Sequence, residues 1–342
     1  MVFNQIQSNR YDVELIKPFK NAQTEIKQRS GSIIKLVLDG ECGCGEAAPL
    51  SPYSKESLTE VSWAFEELKI ALKHNSNYTF NDLLDLFELY AKDVPSLHFA
   101  LDLSLYDILA KKEKVPLASY LNSKNIENVN FSSIYNGGIN KSFKTIKVKL
   151  GLHSLDKEID LLYNLFDQYD KDITFRIDAN QAYNIDEFLY LSDKLKSLNI
   201  QYIEEPLSAL NIDTLQIIKE KCKIPIAIDE SVFKANYKEM VEDKLIEYVV
   251  IKPSLYGGVD NIFKLCDYFK KKNIKIILSS GLHTKIGNLA NIQLASALRL
   301  SENHGLNNYV FLKLDHNKMP YRSDDSSIRI KGLHGLGVCE ND

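Results

Sequence analysis

Six charged residues close short β-branched runs in the second half of this sequence. Lys147 and Lys149 close Thr-Ile-Lys-Val-Lys, Asp178 closes Thr-Phe-Arg-Ile-Asp, and Glu204 closes Gln-Tyr-Ile-Glu. Asp229 closes Ile-Ala-Ile-Asp, and Lys252 closes Tyr-Val-Val-Ile-Lys. From Lys149 onward they recur at intervals of 23 to 29 residues, about one strand and one helix each time. A lone Asp or Lys at a strand end is ordinary surface. At the ends of five successive strands of a closed barrel, such residues would project into one cup. Three carboxylates gathered there repel one another unless a cation neutralises them. Their oxygens suit a hard divalent ion, Mg²⁺, so Asp178, Glu204 and Asp229 are the expected ligands. The lysines on the flanking strands would sit on opposite sides of a metal-bound substrate. That set suits removal of a proton next to a carboxylate. The metal would offset the enediolate charge, and a lysine of lowered pKa would accept the proton. Lys147 shares a face with Lys149, two residues away, and is expected to support it.

The elements that must hold these residues are legible as a repeat. Short β-rich segments fall at 130–135, 144–149, 173–178, 200–204, 224–228, 247–251 and 274–279, with a candidate eighth at 309–314. Amphipathic stretches such as Asp156 to Gln168 and Asp186 to Leu198 lie between them. Strand alternating with helix over 125–320 predicts a closed parallel barrel, on the short side of the roughly 250 residues usual for that fold. The first 120 residues read differently. Strands at 10–16 and 32–39, joined by a polar loop punctuated by Pro18 and Gly31, precede helices at 55–74, 80–91 and 96–112. In the last helix Phe99, Leu103, Leu105, Tyr106 and Leu109 predict one buried face. This is an α+β unit, to which the tail 321–342, with a strand in Ile328 to Val338, is expected to return.

Composition narrows the classes further. With 42 basic and 46 acidic residues and no single-sign block, the chain lacks the basic face of a nucleic-acid binder. No apolar run approaches the roughly 18 residues of a membrane span, and Met1 to Asn9 has no signal-like core, so a cytoplasmic protein is expected. Five scattered cysteines do not make a disulfide framework. The Cys42-x-Cys44 pair has no second pair at zinc spacing and is expected on a strand.

The segments Lys-Val-Lys (147–149), Ile-Asp-Ala-Asn-Gln-Ala-Tyr (177–183), Ile-Glu-Glu-Pro-Leu (203–207), Ile-Asp-Glu-Ser (228–231) and Ile-Lys-Pro-Ser-Leu-Tyr-Gly-Gly (251–258) resemble the enolase superfamily, in particular its muconate-lactonizing-enzyme subgroup. Gly45-Glu46-Ala47-Ala48-Pro49 and Gly335-Leu336-Gly337-Val338 extend the resemblance to both ends. It implies an α/β fold, a modified (β/α)₇β barrel under an α+β capping domain, with Mg²⁺ on Asp178, Glu204 and Asp229. It makes Lys149 and Lys252 the acid/base pair and Lys147 their support. Capping-domain loops near 19–26 and 49–53 would close over the substrate, and copies of such barrels frequently associate.

The mandelate-racemase branch uses a histidine paired with an aspartate after the sixth strand. Lys252 ends that strand here, which leaves His283 without such a partner. Within the subgroup the resemblance is greatest to dipeptide epimerases, through Pro18-Phe19-Lys20 and Ser-Gly-Leu-His-Thr-Lys-Ile-Gly (280–287). The shared apparatus leaves o-succinylbenzoate synthase, N-acylamino acid racemase and cycloisomerase open. Such epimerases hold the substrate ammonium with Asp-x-Asp after the eighth strand. Lys313-Leu314-Asp315 keeps only the second acid, and Thr24 stands where Ala-Glu epimerases carry arginine, so small polar or hydrophobic second residues are as well suited as acidic ones. Thr24, Tyr53, Ser133, Asn180, His283, Lys313 and Asp315 are thus the expected substrate contacts.

Overall fold

The computed structural model describes residues 1–20, 24–138, 140–169, 172–234, 236–314 and 319–338. Its first unit is a three-stranded antiparallel sheet with helices on one side. β1 (Phe3–Lys20) and β2 (Glu25–Leu38) form one long antiparallel pair, from Phe3 opposite Leu38 to Lys20 opposite Glu25, with register shifts between Phe3 and Gln5 and between Glu14 and Phe19. The strands run much further than 10–16 and 32–39, and the expected polar loop between them is largely strand. Gly31 pairs with Tyr11 inside the ladder, and Pro18 falls where the register breaks between Glu14 and Phe19. A proline that has no N–H to donate is tolerated at such a break. Ile34, Leu36 and Leu38 alternate into the core.

β3 (Glu41–Ala47) pairs with β2 and carries Cys42 and Cys44, both buried. Gly43 and Gly45, alternating with its cysteines, explain why helix α3 (Pro95–Lys112) can lie directly on it. A Cβ at Gly43 would fall 1.9 Å from the Ser104 carbonyl oxygen, and one at Gly45 1.9 Å from that of Ala100. α1 (Leu58–Leu72) and α2 (Phe80–Ala91) each start at a capping box, Ser57 with Glu60 and Thr79 with Asp82. α3 is buried nearly all round rather than on one face. It is wedged between the sheet and the barrel turn Pro253–Leu255.

After α4 (Leu117–Leu121) and β4 (Asn128–Asn130), the chain winds a curled parallel sheet. Its seven strands lie in chain order: β5 (Ser133–Ile134), β6 (Thr145–Lys149), β7 (Thr174–Asp178), β8 (Ile200–Glu204), β9 (Ile226–Ile228), β10 (Tyr248–Ile251) and β11 (Lys275–Leu278). Between β6 and β11 the crossovers are α5 (Leu155–Gln168), α6 (Ile185–Leu195), α7 (Ile212–Lys221), α8 (Tyr237–Glu242) and α9 (Val259–Lys271). α10 (Lys285–Ala297) follows β11.

No strand forms at 309–314, because Asn308–Phe311 is a 3₁₀ turn whose following Leu312 bridges Leu15 of the hairpin. The apolar side chains that predicted a strand there are used instead to seat the first unit. The two sheet edges meet through His304 and Gly305. His304 exchanges backbone hydrogen bonds with Asn130 and Ser132, and Gly305 with Leu278 and Ser280. Among the described residues of the tail a three-residue strand forms, β12 (Ser327–Arg329), which pairs with β4. Beyond it, Gly335 bonds Val115 and Leu117, and the Leu336 N–H donates to Asp107.

One buried carboxylate joins the two units. Glu46 on β3 accepts from the Thr284 N–H (3.0 Å), the Thr284 hydroxyl (2.6 Å), the Gly287 N–H (2.8 Å) and the Tyr11 hydroxyl. It therefore caps the N-terminus of α10, where backbone N–H groups lack internal partners. Among the described residues no helix is long and apolar enough to cross a membrane.

Candidate active site

Parallel register brings the charged strand ends side by side. Lys149 is level with Asp178, and Asp178 with Glu204. Asp229 and Lys252 directly follow β9 and β10. Lys147, Lys149, Asp178, Asp229 and Lys252 line one cavity with Asn180, Glu230, Ser279 and Ser280. The first unit roofs it with Phe19, Ile26, Leu50 and Tyr53.

Three lysines in this small space have three different environments. Lys147 Nζ bridges Asp178 Oδ2 at 2.8 Å and Glu204 Oε1 at 2.9 Å. Burial works against its charge, but these two carboxylates more than reverse the effect and hold its pKa well above the ordinary value. Lys252 contacts Asp229 directly and lies 3.8 Å from Glu230, and these acids likewise overcome burial and raise its pKa. Lys149 has no carboxylate within ion-pair distance among the described residues. Burial, aided by the positive charges of Lys147 and Lys252 and opposed by Asp178 and Glu204, pushes it down to about 8. A lowered value for Lys149 accords with the sequence; the paired state of Lys252 shows that the same strand-end position does not impose the same titration. Each of these two ammonium groups also faces an aromatic ring from the first unit. Phe19 lies 3.8 Å from Lys149 Nζ to its centroid, and Tyr53 lies 5.3 Å from Lys252 Nζ.

The carboxylates offer only hard oxygen donors. Burial and the neighbouring Asp178 and Asp229 push Glu204 up to about 8, and its Oε2 is buried without a hydrogen-bond partner among the described residues. An acid whose ionised form is penalised by its neighbours, with an orphaned oxygen, fits a divalent cation. Among the described residues no three His, Cys, Asp or Glu side chains stand as a ligand cluster, and ammonium groups sit on Asp178, Glu204 and Asp229.

The turns after β7 and β8 are tightly specified. Asn180 adopts a left-handed backbone (φ 46°), and its Nδ2 donates to Asp178 Oδ1 at 2.6 Å. Glu205 (φ 42°) accepts from the Asp229 N–H, the Ser231 N–H and the Ser231 hydroxyl, which fixes the loop that carries Asp229. Such backbone strain is concentrated where side chains must be aimed.

The expected substrate contacts divide. Tyr53 and Asn180 line the cavity. Ser133 lines a neighbouring cavity with Asn136 and Ser323, and Thr24 is among the liners of neither. His283 lies behind the site, fully buried and bonded to Asn291, and burial pushes its pKa down to about 4. Lys313 points to the surface and pairs with Glu14 on β1 at 3.2 Å. Asp315 lies outside the described residues, as do 21–23 of the 19–26 loop. Sequence reasoning missed Glu205, Glu230, Ser279 and Ser280. The first two were written in the Glu-Glu-Pro and Asp-Glu-Ser segments, each beside an expected ligand. The serines carry no periodic or charge signal.

Residues 136–341 match the family described as Enolase C-terminal domain-like, and residues 4–108 match that described as MenC, N-terminal domain. An L-Ala-D/L-Glu epimerase from Francisella tularensis subsp. novicida is 29% identical over 85% of this chain and 86% of its own length. The fold is shared with the substrate-liganded L-Ala-D/L-Glu epimerase of Bacillus subtilis, with a TM-score of 0.85 at 23% identity over 98% of both chains. It is shared equally with the dipeptide epimerase of Enterococcus faecalis V583 complexed with Mg and L-Leu-L-Tyr, with a TM-score of 0.85 at 20% identity over 98% of this chain and 99% of that one. With more than half its length matched by the barrel family and its fold shared throughout, the chain belongs to the enolase superfamily.

Proposed function

We propose that this enzyme is an isomerase that epimerises dipeptides of the L-Ala-L-Xaa type by removing and returning the proton α to the carboxylate. Lys149 and Lys252 are the acid/base pair, and Lys147 is their support. The observation that carries the reading is the contrast between two lysines lining one cavity. One has no carboxylate within ion-pair distance among the described residues and is lowered towards neutrality; the other is held protonated by carboxylates. One proton acceptor and one proton donor is what inversion at a carbon requires. Lys149 Nζ takes the α-proton, and Lys252 Nζ delivers one from the other side; the roles exchange for the reverse reaction.

Asp178, Glu204 and Asp229 would hold Mg²⁺, which when bound supplies positive charge to the substrate carboxylate as negative charge develops there. Asn180 orients Asp178, and Glu205 orients the Asp229 loop. Phe19, Leu50 and Tyr53, from the proposed capping domain at 1–120, exclude water above the barrel at 125–320.

The decisive measurement is deuterium incorporation by mass spectrometry. The Mg²⁺-supplied enzyme is incubated in D₂O with pooled L-Ala-L-Xaa dipeptides. Exchange at the α-carbon of particular dipeptides supports the reading and names the second residue. If no dipeptide exchanges, while an N-succinylamino acid does or the o-succinylbenzoate precursor is consumed, the dipeptide reading is replaced. Asp315→Asn should weaken dipeptides with a free amino terminus more than N-acylated ones; equal loss removes Asp315 as the ammonium anchor.

A further inference from the structure

Lys149 is the one lysine of the three with no carboxylate within ion-pair distance among the described residues. Lys147 and Lys252 are fixed by ion pairs, and each has a defined direction. A lysine ammonium is a point charge on four rotatable carbons, and without an anchor it does not hold a geometry fine enough for proton transfer. The Phe19 ring supplies a surface in its place. Its centroid lies 3.8 Å from Nζ, well inside the roughly 6 Å reach of a cation–π contact.

The ring is itself braced. It lies 5.7 Å from Phe311, centroid to centroid, and packs into the small apolar cluster of Leu15, Leu282 and Leu312. That cluster joins the β1–β2 hairpin to the barrel turns after β11 and at Asn308–Phe311. Phe19, Lys149 and Ile134 also line both the catalytic cavity and an outer groove of about 470 Å³ bounded by Lys17, Leu152 and His153. The ring thus stands at the partition between the two spaces.

We infer that Phe19 is a positioning residue, the hairpin's contribution to catalysis, whose ring at the boundary of the two spaces seats the Lys149 ammonium towards the substrate. The inference rests on the proposal that Lys149 moves a proton. Tyr53 over Lys252 is the weaker counterpart, because Lys252 already has Asp229 and Glu230.

Two measurements on the full-length protein test it. The first needs no substrate. In protein labelled with [ε-¹³C]lysine, with Lys149 assigned from Lys149→Arg, its ε-protons should resonate upfield of the other lysines. They should stay so in Phe19→Tyr and move to the ordinary position in Phe19→Leu. An unshifted Lys149 signal in the parent protein overturns the inference whatever the reaction proves to be.

The second follows deuterium entry separately into the two epimers of the best dipeptide, with Mg²⁺ supplied. Lys149→Ala identifies the epimer that Lys149 deprotonates. Phe19→Leu should slow exchange of that epimer at least tenfold and change the other less than twofold, and Phe19→Tyr should restore it. Equal slowing of both epimers, or parental rates in Phe19→Leu, overturns the inference. No exchange of either epimer by the parent protein overturns the dipeptide reading instead and leaves the resonance result to decide for Phe19.

Discussion

Lys149 and Lys252 are the same residue at the same station of two barrel strands, and their surroundings make them chemical opposites. Around Lys252 the preceding strand supplies Asp229 and the residue after it, Glu230, so its charge is held. Around Lys149 the neighbouring Asp178 is already engaged by Lys147, so its charge is left to burial and an aromatic face. A barrel creates this difference by register alone. Lys147, one pleat deeper than Lys149, takes the carboxylates of Asp178 and Glu204. Two identical side chains thereby acquire separated proton affinities, the arrangement that acid/base pairs need.

The largest effects should come from deleting either side. Lys149→Ala and Lys252→Ala should each lower epimerisation by about 10³-fold with an unchanged circular dichroism spectrum. Each should spare deuterium entry into a different epimer; parental turnover by either variant breaks the two-lysine comparison.

Next in size is the carboxylate that anchors Lys147. Glu204→Gln should weaken Mg²⁺ binding by more than about tenfold in titration calorimetry and abolish any Mg²⁺-dependent rise in Tm. Retained affinity would remove Glu204 from the ligand set.

The titration of Lys149 sharpens the comparison further. For the epimer it deprotonates, only the neutral amine is active, so kcat/KM should fall about tenfold per pH unit once pH drops below the pKa of Lys149 in the free enzyme. That value is about 8 from the protein alone, and a bound cation moves it further in the same direction. An acid limb well above 8 in the pH profile would contradict the environment described. The smallest effect belongs to Lys313. It forms an exposed pair with Glu14, so Lys313→Ala should leave kcat/KM unchanged and alter unfolding free energy by less than about 1 kcal/mol.

The barrel was legible because each repeat writes the same sentence: an apolar run, a charge, then an amphipathic stretch. Lys149, Asp178, Glu204, Asp229 and Lys252 came from that grammar, and the structure brings them together. The closing segment was not legible because its periodicity pointed elsewhere. Tyr309 to Leu312 is apolar in order to meet Leu15, whereas the residues that close the barrel, His304 and Gly305, carry no strand signal. β3 was expected only as a strand under Cys42 and Cys44, without bounds, since its glycines record the nearness of α3 rather than any side-chain pattern. The substrate contacts were the least legible. His283 reads as a ligand by type, yet it is packed behind the site, and only the fold reveals which side of a loop faces a cavity.

The Glu46 contact sets terms for recombination between relatives. A first unit exchanged for that of another barrel brings a new residue to position 46, while the recipient keeps Thr284 and Gly287 pointing at the seam. Any partner without a carboxylate there strands three donors that Glu46 now satisfies. An added side chain at Gly287 would collide with Glu46 and His283, at 2.9 and 2.8 Å. Working chimeras should therefore be those in which position 46 and the segment 283–287 travel together, so the smallest exchangeable piece of this enzyme is discontinuous in the chain.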